Sequence, residues 1–362
     1  MTRGRILYIV QHRLNRSPGQ RYRCEQYLKY LEEAGFEYTY SPIIVTAQED
    51  EAFYKGGLLS KFLMFLKAFY RRWKDVVRAK DYDIIFIYRE AFMTGTTMFE
   101  RMLKKSGAKL VFDFDDAIWL PSTSEGNKAL AFLKKPDKIN DILPLAHLVL
   151  AGNTYLANYA SANNAHIKIM PSTIDMSYYV KPDLPHNANE VIIGWSGSKT
   201  TIEHFETLTP VLKRIKKKYG QKVRFKVLGE PGYYNNELEI KGIGWTPENE
   251  VPEIASFDIG IMPLPDNEWT QGKCGMKGLQ YMALGVATIM AAVGANKEII
   301  QDGQNGLLAT NDDEWFEKLS LLIEQPELRQ KLGNRGENTI RKAYSCQALA
   351  STYVQYFKGL LN

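Results

Sequence analysis

Short, almost wholly apolar runs alternate with segments of helical periodicity along nearly the whole chain, and this alternation narrows the fold more than any other feature. RILYIV (5–10), DIIFIY (83–88), KLVFDF (109–114), HLVLA (147–151) and HIKIM (166–170) read as strands, with helical stretches between them. The first such helix, over 21–34, stops at Gly35, and Phe36 opens another extended run. A run that is apolar on both sides must be covered on both faces, which a parallel sheet between two helical layers achieves. PDLPHNANE (182–190) is polar and rich in turn formers, so it reads as a linker. The pattern then restarts with VIIGW (191–195), a Gly/Ser turn, a helix over 202–219 and VRFKVLG (223–229). FDIGIM (257–262), VATIMA (286–291) and GLLA (306–309) follow, with helices over 276–284, 312–323 and 327–341. At roughly 100–200 residues per domain, 362 residues suit two domains. The expected architecture is α/β, in two halves with a cleft between them: 1–182, 183–344, and an amphipathic last helix over 345–362.

Hydrophobic residues make up 45% and charged residues 24%, which excludes disordered, collagen-like and small disulfide-scaffold chains. Cys24, Cys274 and Cys346 are widely spaced and form no paired motif, as expected for a reducing compartment without a structural zinc site. The apolar run near the N-terminus is too short for a secretory signal, and no run suits a transmembrane helix. A cytoplasmic protein is expected. Lys plus Arg is 46 and Asp plus Glu 41; the net +5 allows anionic partners without identifying nucleic acid.

The stretch from Asp266 to Gly285 carries the most chemical information. Gly272 and Gly275 precede a predicted helix whose first N–H groups can hold phosphate, and glycine permits close approach. Lys273 and Lys277 share one helical face if the first turn begins early, and two cations there suit a diphosphate leaving group. Two solvated surface lysines are the alternative. Gly194–Trp195–Ser196–Gly197–Ser198–Lys199–Thr200 follows a strand and precedes a helix, the right setting to cradle an anion. It matches neither the dinucleotide fingerprint nor a P-loop, and a turn with a Ser or Thr cap explains it equally well.

In the first half, the loop after the first strand carries Arg13, Arg16, Gly19, Arg21 and Arg23, where open α/β sheets bind ligands. An acidic substrate or a diphosphate would meet this loop; solvated arginines are the other reading. Asp113, Asp115 and Asp116 end a predicted strand, where acids need a metal, a sugar hydroxyl or a backbone N–H partner. Among five histidines, only His12 faces the expected ligand edge. Residues 57–80 place Leu58, Phe62, Phe65, Leu66, Phe69 and Trp73 at helical spacing among Lys61, Lys67, Arg71, Arg72, Lys74, Arg78 and Lys80. Such a helix suits an anionic bilayer surface; a core helix with a basic outer face is the competing reading.

The segment from Gln280 to Gly285, followed by Val286–Ala–Thr–Ile and by Gly294 to Leu308, resembles the donor-binding block of the group 1 (family 4) glycosyltransferases. Pro171–Ser–Thr–Ile–Asp175 with Tyr179 is similar to the segment closing that family's N-terminal domain. The resemblance implies the GT-B architecture of two facing Rossmann-like domains, with the last helix crossing back to the first. It implies retaining transfer of a sugar from a nucleotide-diphosphate donor to a saccharide or lipid-linked saccharide hydroxyl, in envelope polysaccharide or glycan synthesis, without a cofactor or metal. The expected location is the cytoplasm, peripheral on the inner face of the membrane if residues 57–80 touch lipid.

The resemblance also implies roles residue by residue. The diphosphate would meet Gly275 and Met276, neutralised by Lys273, Lys277 or Lys199, and the base would lie near Gly244 and Trp245. Of the family's two spaced glutamates, the ribose-binding one falls on Gln280 and the other on Gly272, so Glu268 or Asp266 would have to compensate. Trp195 or Ser196 stands where the family has an arginine, with Gly197 and Ser198 beside it. Asp115 or Asp116 matches the position of a histidine that contacts the transferred sugar, and Gly19 matches the glycine loop. Three readings compete: a metal-dependent single-domain transferase using Asp113 and Asp115, a nucleotide-sugar epimerase, and an inert nucleotide-sugar-binding protein.

Overall fold

A computed structural model of the chain describes residues 3–121, 135–185, 187 and 189–362. The chain divides into two compact units, one formed by Met1–Ser172 with Ala350–Asn362 and the other by Thr173–Leu349.

The first unit is built on β1 (Gly4–His12), β2 (Phe36–Ile44), β3 (Ile84–Tyr88), β4 (Lys109–Phe114), β5 (Leu148–Ala151) and β6 (Ile167–Ile169). They form one sheet in the order β2-β1-β3-β4-β5-β6, every pair parallel. Ile6 to Val10 and the whole of β3 are buried, as expected of strands covered on both faces. The predicted helix over 21–34 is instead broken. Pro18–Arg23 and Leu28–Glu33 are separate helices, parted at Cys24, whose φ of −135° leaves the helical region. The last helix, Cys346–Leu361, brings Tyr353 onto Tyr27, rings stacked 4.2 Å apart, and Phe357 beside it at 4.9 Å.

The helix Leu58–Arg78 in this unit buries Arg72 and Asp75 and leaves Lys67 and Lys74 exposed. Met64, Ala68, Arg72 and Asp75 are buried, while Leu59, Phe62 and Val77 are 73%, 57% and 61% exposed. One side of the helix packs into the core, with Phe69 against Phe92 and Phe99, while its outer face carries apolar side chains as well as Lys67 and Lys74.

The second unit holds β7 (Val191–Ser196), β8 (Val223–Leu228), a short antiparallel pair β9 (Tyr234–Asn235) and β10 (Ile240–Lys241), then β11 (Ile259–Met262), β12 (Ala287–Ala291) and β13 (Leu307–Ala309). Its main sheet runs β13-β12-β11-β7-β8, again all parallel. The predicted helix over 202–219 forms as Ile202–Glu206 and Thr209–Tyr219. Pro210, at the start of the second, has no N–H to continue the first. In both sheets the strand order reverses beside the first strand of the unit, between β1 and β3 and between β7 and β11. Ligands of open α/β sheets bind beyond the carboxyl ends of strands at such a reversal.

Candidate functional site

In the second unit, three basic side chains gather beyond the carboxyl end of β7. Gly275 adopts a left-handed conformation (φ 69°) and starts the helix Met276–Ala283 without a side-chain cap. A Cβ there would lie 2.3 Å from the Ile299 side chain, so the turn requires glycine. Lys277, on the first turn, lies over the Trp195 ring at 5.6 Å, and Lys273 lies over Trp269 at 4.5 Å. Burial, and then the neighbouring Lys273, push the Lys277 ammonium down to about 8. Among the described residues no carboxylate or other acceptor pairs with it. His204 is buried nearby and lowered by desolvation, with Lys277 as the next cause. A helix N-terminus already carries partial positive charge, so cations at this end add to a positive field that an anion would relieve.

Ser196 lies on the same floor: its N–H donates to the Tyr281 hydroxyl at 2.8 Å. The turn beyond it is largely self-satisfied. Ser198 N–H donates to Thr201 Oγ1 at 3.1 Å, and the Ser198 and Thr200 hydroxyls meet at 2.9 Å. Gly197 faces the Trp195 ring, which a Cβ would approach to 2.3 Å, and Lys199 is exposed.

Gln280, one turn beyond Lys277, is buried with its amide nitrogen committed twice, donating to the Tyr179 hydroxyl (2.6 Å) and to Glu250 Oε1 (2.9 Å). Glu250 comes from the helix Pro247–Ala255, capped by Thr246 and Asn249. Asn249 also donates to the Gly244 carbonyl at 2.7 Å, and Trp245 beside it is 44% exposed. One helix thus ties the Gly244–Trp245 turn to Gln280, and it supplies a buried carboxylate behind the amide. Glu250 and His204 were not legible in the sequence, because neither stands at a motif spacing from the residues it meets.

In the first unit, Asp113, Asp115, Gly19 and His12 gather around the ends of β1, β3 and β4. Asp113 is fully buried in a two-bond pair with Arg23 (Nε–Oδ1 3.0 Å, Nη2–Oδ2 2.7 Å), and Arg23 also donates to the Met170 carbonyl. Burial pushes the Asp113 carboxyl up to about 6 against the pull of Arg23. Asp115 accepts from Tyr88 Oη and Arg89 Nε, each at 2.8 Å. Burial raises its carboxyl, but the Arg89 and Arg23 charges outweigh burial and the net shift is downward. Arg89 holds a φ of 62°, its N–H donating to the Asp113 carbonyl at 2.8 Å. A Cβ on Gly19 would lie 2.1 Å from Tyr88 Oη and 3.4 Å from Asp115 Oδ2. Asp116 accepts from the Ala117 N–H at 3.1 Å. His12 is buried between Asp50 (3.3 Å) and the Tyr54 hydroxyl (3.1 Å), and burial lowers it to about 4.

The metal reading fares poorly on this geometry, since Asp113 and Asp115 each face an arginine. Among the described residues no group of three or more His, Cys, Asp or Glu is placed to hold a metal ion. The single-domain form of that reading is also not what the chain builds. A cavity of about 850 Å³ in the second unit is lined by Lys181, Arg224, Glu253 and Asp258 and lies toward the amino ends of the strands, away from the lysines.

Residues 190–325 match the family described as "Glycosyl transferases group 1". The uncharacterized glycosyltransferase MJ1178 of Methanocaldococcus jannaschii is 28% identical over 221 residues, 52% of this chain, and the match spans 58% of that relative's length. Sucrose-phosphate synthase from Thermosynechococcus elongatus superposes with a TM-score of 0.69 at 14% identity, covering 98% of each chain. Anabaena HepE, solved in complex with UDP-glucose, superposes at 0.66 with 13% identity, covering 98% of this chain and 100% of its own. At these identities the likeness is one of fold.

Proposed function

Starting from a chain that is related to the group 1 glycosyltransferases and has the GT-B fold, we propose that it transfers a sugar, with retention, from a nucleotide diphosphate to an acceptor hydroxyl. The observation that carries this reading is the Lys277 ammonium at an uncapped helix start, which no acceptor among the described residues pairs and which burial and Lys273 push down to about 8. A departing diphosphate would bring negative charge to this basic helix start. Its oxygens would accept from the N–H groups of Met276 and Lys277 and from the two lysines, stabilising charge that grows as the sugar–oxygen bond breaks. The sugar carbon becomes oxocarbenium-like, and the acceptor hydroxyl attacks from the face the diphosphate leaves. The Gln280 side chain, its amide nitrogen donating to Tyr179 and Glu250, would be the group that meets a ribose hydroxyl. The base would stack near Trp245.

UDP-sugars head the donor candidates, because HepE was solved with UDP-glucose. The acceptor in this reading is a saccharide or lipid-linked saccharide used in envelope polysaccharide synthesis, met by a cytoplasmic enzyme at the inner membrane face. Asp115, beside Gly19, and Asp116, 3.9 Å from Arg89, would lie on the acceptor side.

The test is thermal stabilisation by UDP, GDP, ADP and their sugars, with and without chelator, in the wild type and in Lys273→Ala and Lys277→Ala. Stabilisation by one nucleotide that survives chelation and is lost in both variants supports the site; no response to any nucleotide sinks it. Acceptor-dependent transfer of the donor's sugar then distinguishes transfer from epimerisation, which needs no acceptor, and from inert binding.

A further inference from the structure

The helix Leu58–Arg78 is amphipathic in the wrong sense for a solvent-facing helix, and the reason is built into its buried side. Arg72 donates to the carbonyls of Ala91 (2.7 Å), Ser41 (3.3 Å) and Val10 (3.1 Å) and pairs with Asp75 at 2.7 Å. Asp75 also accepts from Ser41 Oγ (2.8 Å) and Arg78 (2.6 Å), while Arg71 donates to the Ile43 carbonyl at 2.7 Å and pairs with Glu49. Rolling the helix to hide its apolar side would strip these buried charges of their partners, which is far costlier than leaving hydrocarbon in water. The roll is therefore set by the polar contacts.

That roll leaves Leu59, Phe62, Leu63, Leu66, Trp73 and Val77 on the exposed side, all at least 44% exposed. At about 100° per residue they fall within an arc of roughly 100–140°, on a helix about 30 Å long. Lys67 and Lys74 lie along one margin of this arc, followed by Arg71 and Arg78. The helix's one acid, Asp75, is buried. An apolar strip with a basic margin and no exposed acid complements one kind of surface, in which hydrocarbon lies just beneath anionic headgroups. No described helix is long and apolar enough to cross a membrane. We propose that this helix lies in the headgroup layer of an anionic bilayer, its apolar strip among the acyl chains and Lys67 and Lys74 against phosphate.

This deepens the reading of a lipid-linked acceptor, on which it rests for its purpose though not for its physics. The experiment is sedimentation of the full chain with vesicles of phosphatidylcholine alone or mixed with phosphatidylglycerol, at low and high salt. Phe62→Ser/Leu66→Ser and Lys67→Gln/Lys74→Gln alter only exposed side chains. Wild type is expected to partition onto the mixed vesicles at least about tenfold better than onto the neutral ones, with salt weakening the difference. The apolar variant should lose about tenfold or more on mixed vesicles, and the lysine variant should lose most of its preference for them. Equal recovery of wild type and the apolar variant would overturn the proposal. So would a wild-type dimer that neither vesicles nor salt disturb and that Phe62→Ser/Leu66→Ser converts to monomer, since a second copy would then cover the strip. Nucleotide-induced stabilisation, measured on the same samples, reports folding of the variants. Its absence in a wild type that still binds vesicles would sink the transfer reading alone.

Discussion

Raising the pH from about 8 to about 9 should weaken nucleotide-diphosphate binding roughly fivefold through one group, Lys277. Burial and Lys273 hold its ammonium at about 8 instead of its ordinary 10.5, so in the free protein it gives up its proton across this interval. A diphosphate seated against it favours the charged form and returns the group toward its ordinary value. The full return is worth up to about 3 kcal/mol, or a few hundredfold in affinity. Below pH 8 the lysine is charged in both states and contributes no slope; above it, each pH unit costs about a factor of ten until the bound form also titrates. Calorimetry in two buffers of different ionisation enthalpy at pH 8.5 reads the accompanying uptake of most of one proton. Lys277→Met serves as the blank, because it keeps every titration that belongs to the ligand. It should bind weakly at pH 7, and its remaining slope should lack the lysine's share. The same shift also sets the sign for stability. A lysine with a lowered folded pKa penalises the folded state below about 8, and the penalty fades as pH rises toward 10.5. Unliganded Lys277→Met should thus be more stable than wild type at pH 7 and lose that advantage by about pH 10. Identical pH profiles for wild type and Lys277→Met, in binding and in melting, would refute the reasoning.

Arg23→Ala leaves Asp113 buried without its partner and should cost about 3–5 kcal/mol at pH 7. Because the folded pKa of Asp113 is already raised to about 6, this variant's melting temperature should climb as pH falls through 6, more steeply than that of wild type. Gly19→Ala forces a methyl against the Tyr88 hydroxyl and should destabilise by about 1–3 kcal/mol, as denaturant unfolding would read. Glu250→Gln should weaken binding of a nucleoside diphosphate about tenfold by freeing the Gln280 amide to turn, yet leave inorganic pyrophosphate binding nearly unchanged; equal losses for both ligands would show that Glu250 acts only on folding.

Much of the fold was legible because burial on both faces writes itself into the sequence as an unbroken apolar run. β3 and β12 are such runs and stand where they were expected. Helix ends were less legible where a side chain far along the chain decides them. Arg23, the last residue of its helix, is pinned to Asp113 across 90 positions, and nothing near it announces the break at Cys24. The glycine and lysine spacing around Gly275 marked a candidate phosphate-binding helix start, because those are local properties of one turn.

What the sequence by itself determined is therefore the local and the repetitive: two α/β halves, a glycine-opened helix carrying two lysines, and a helix rich in aromatics and bases. What only the tertiary structure decided is which charges meet. The acid behind Gln280 comes from Glu250, thirty residues away, and the pair that holds Asp113 comes from Arg23. The inward turn of Arg72 and Asp75, which leaves leucine and phenylalanine facing outward, depends on carbonyls at Val10, Ser41 and Ala91. Apolar burial is roughly additive along a strand and can be read residue by residue, whereas a buried charge is tolerable only in the geometry of its partner, and that geometry exists only once the chain has folded.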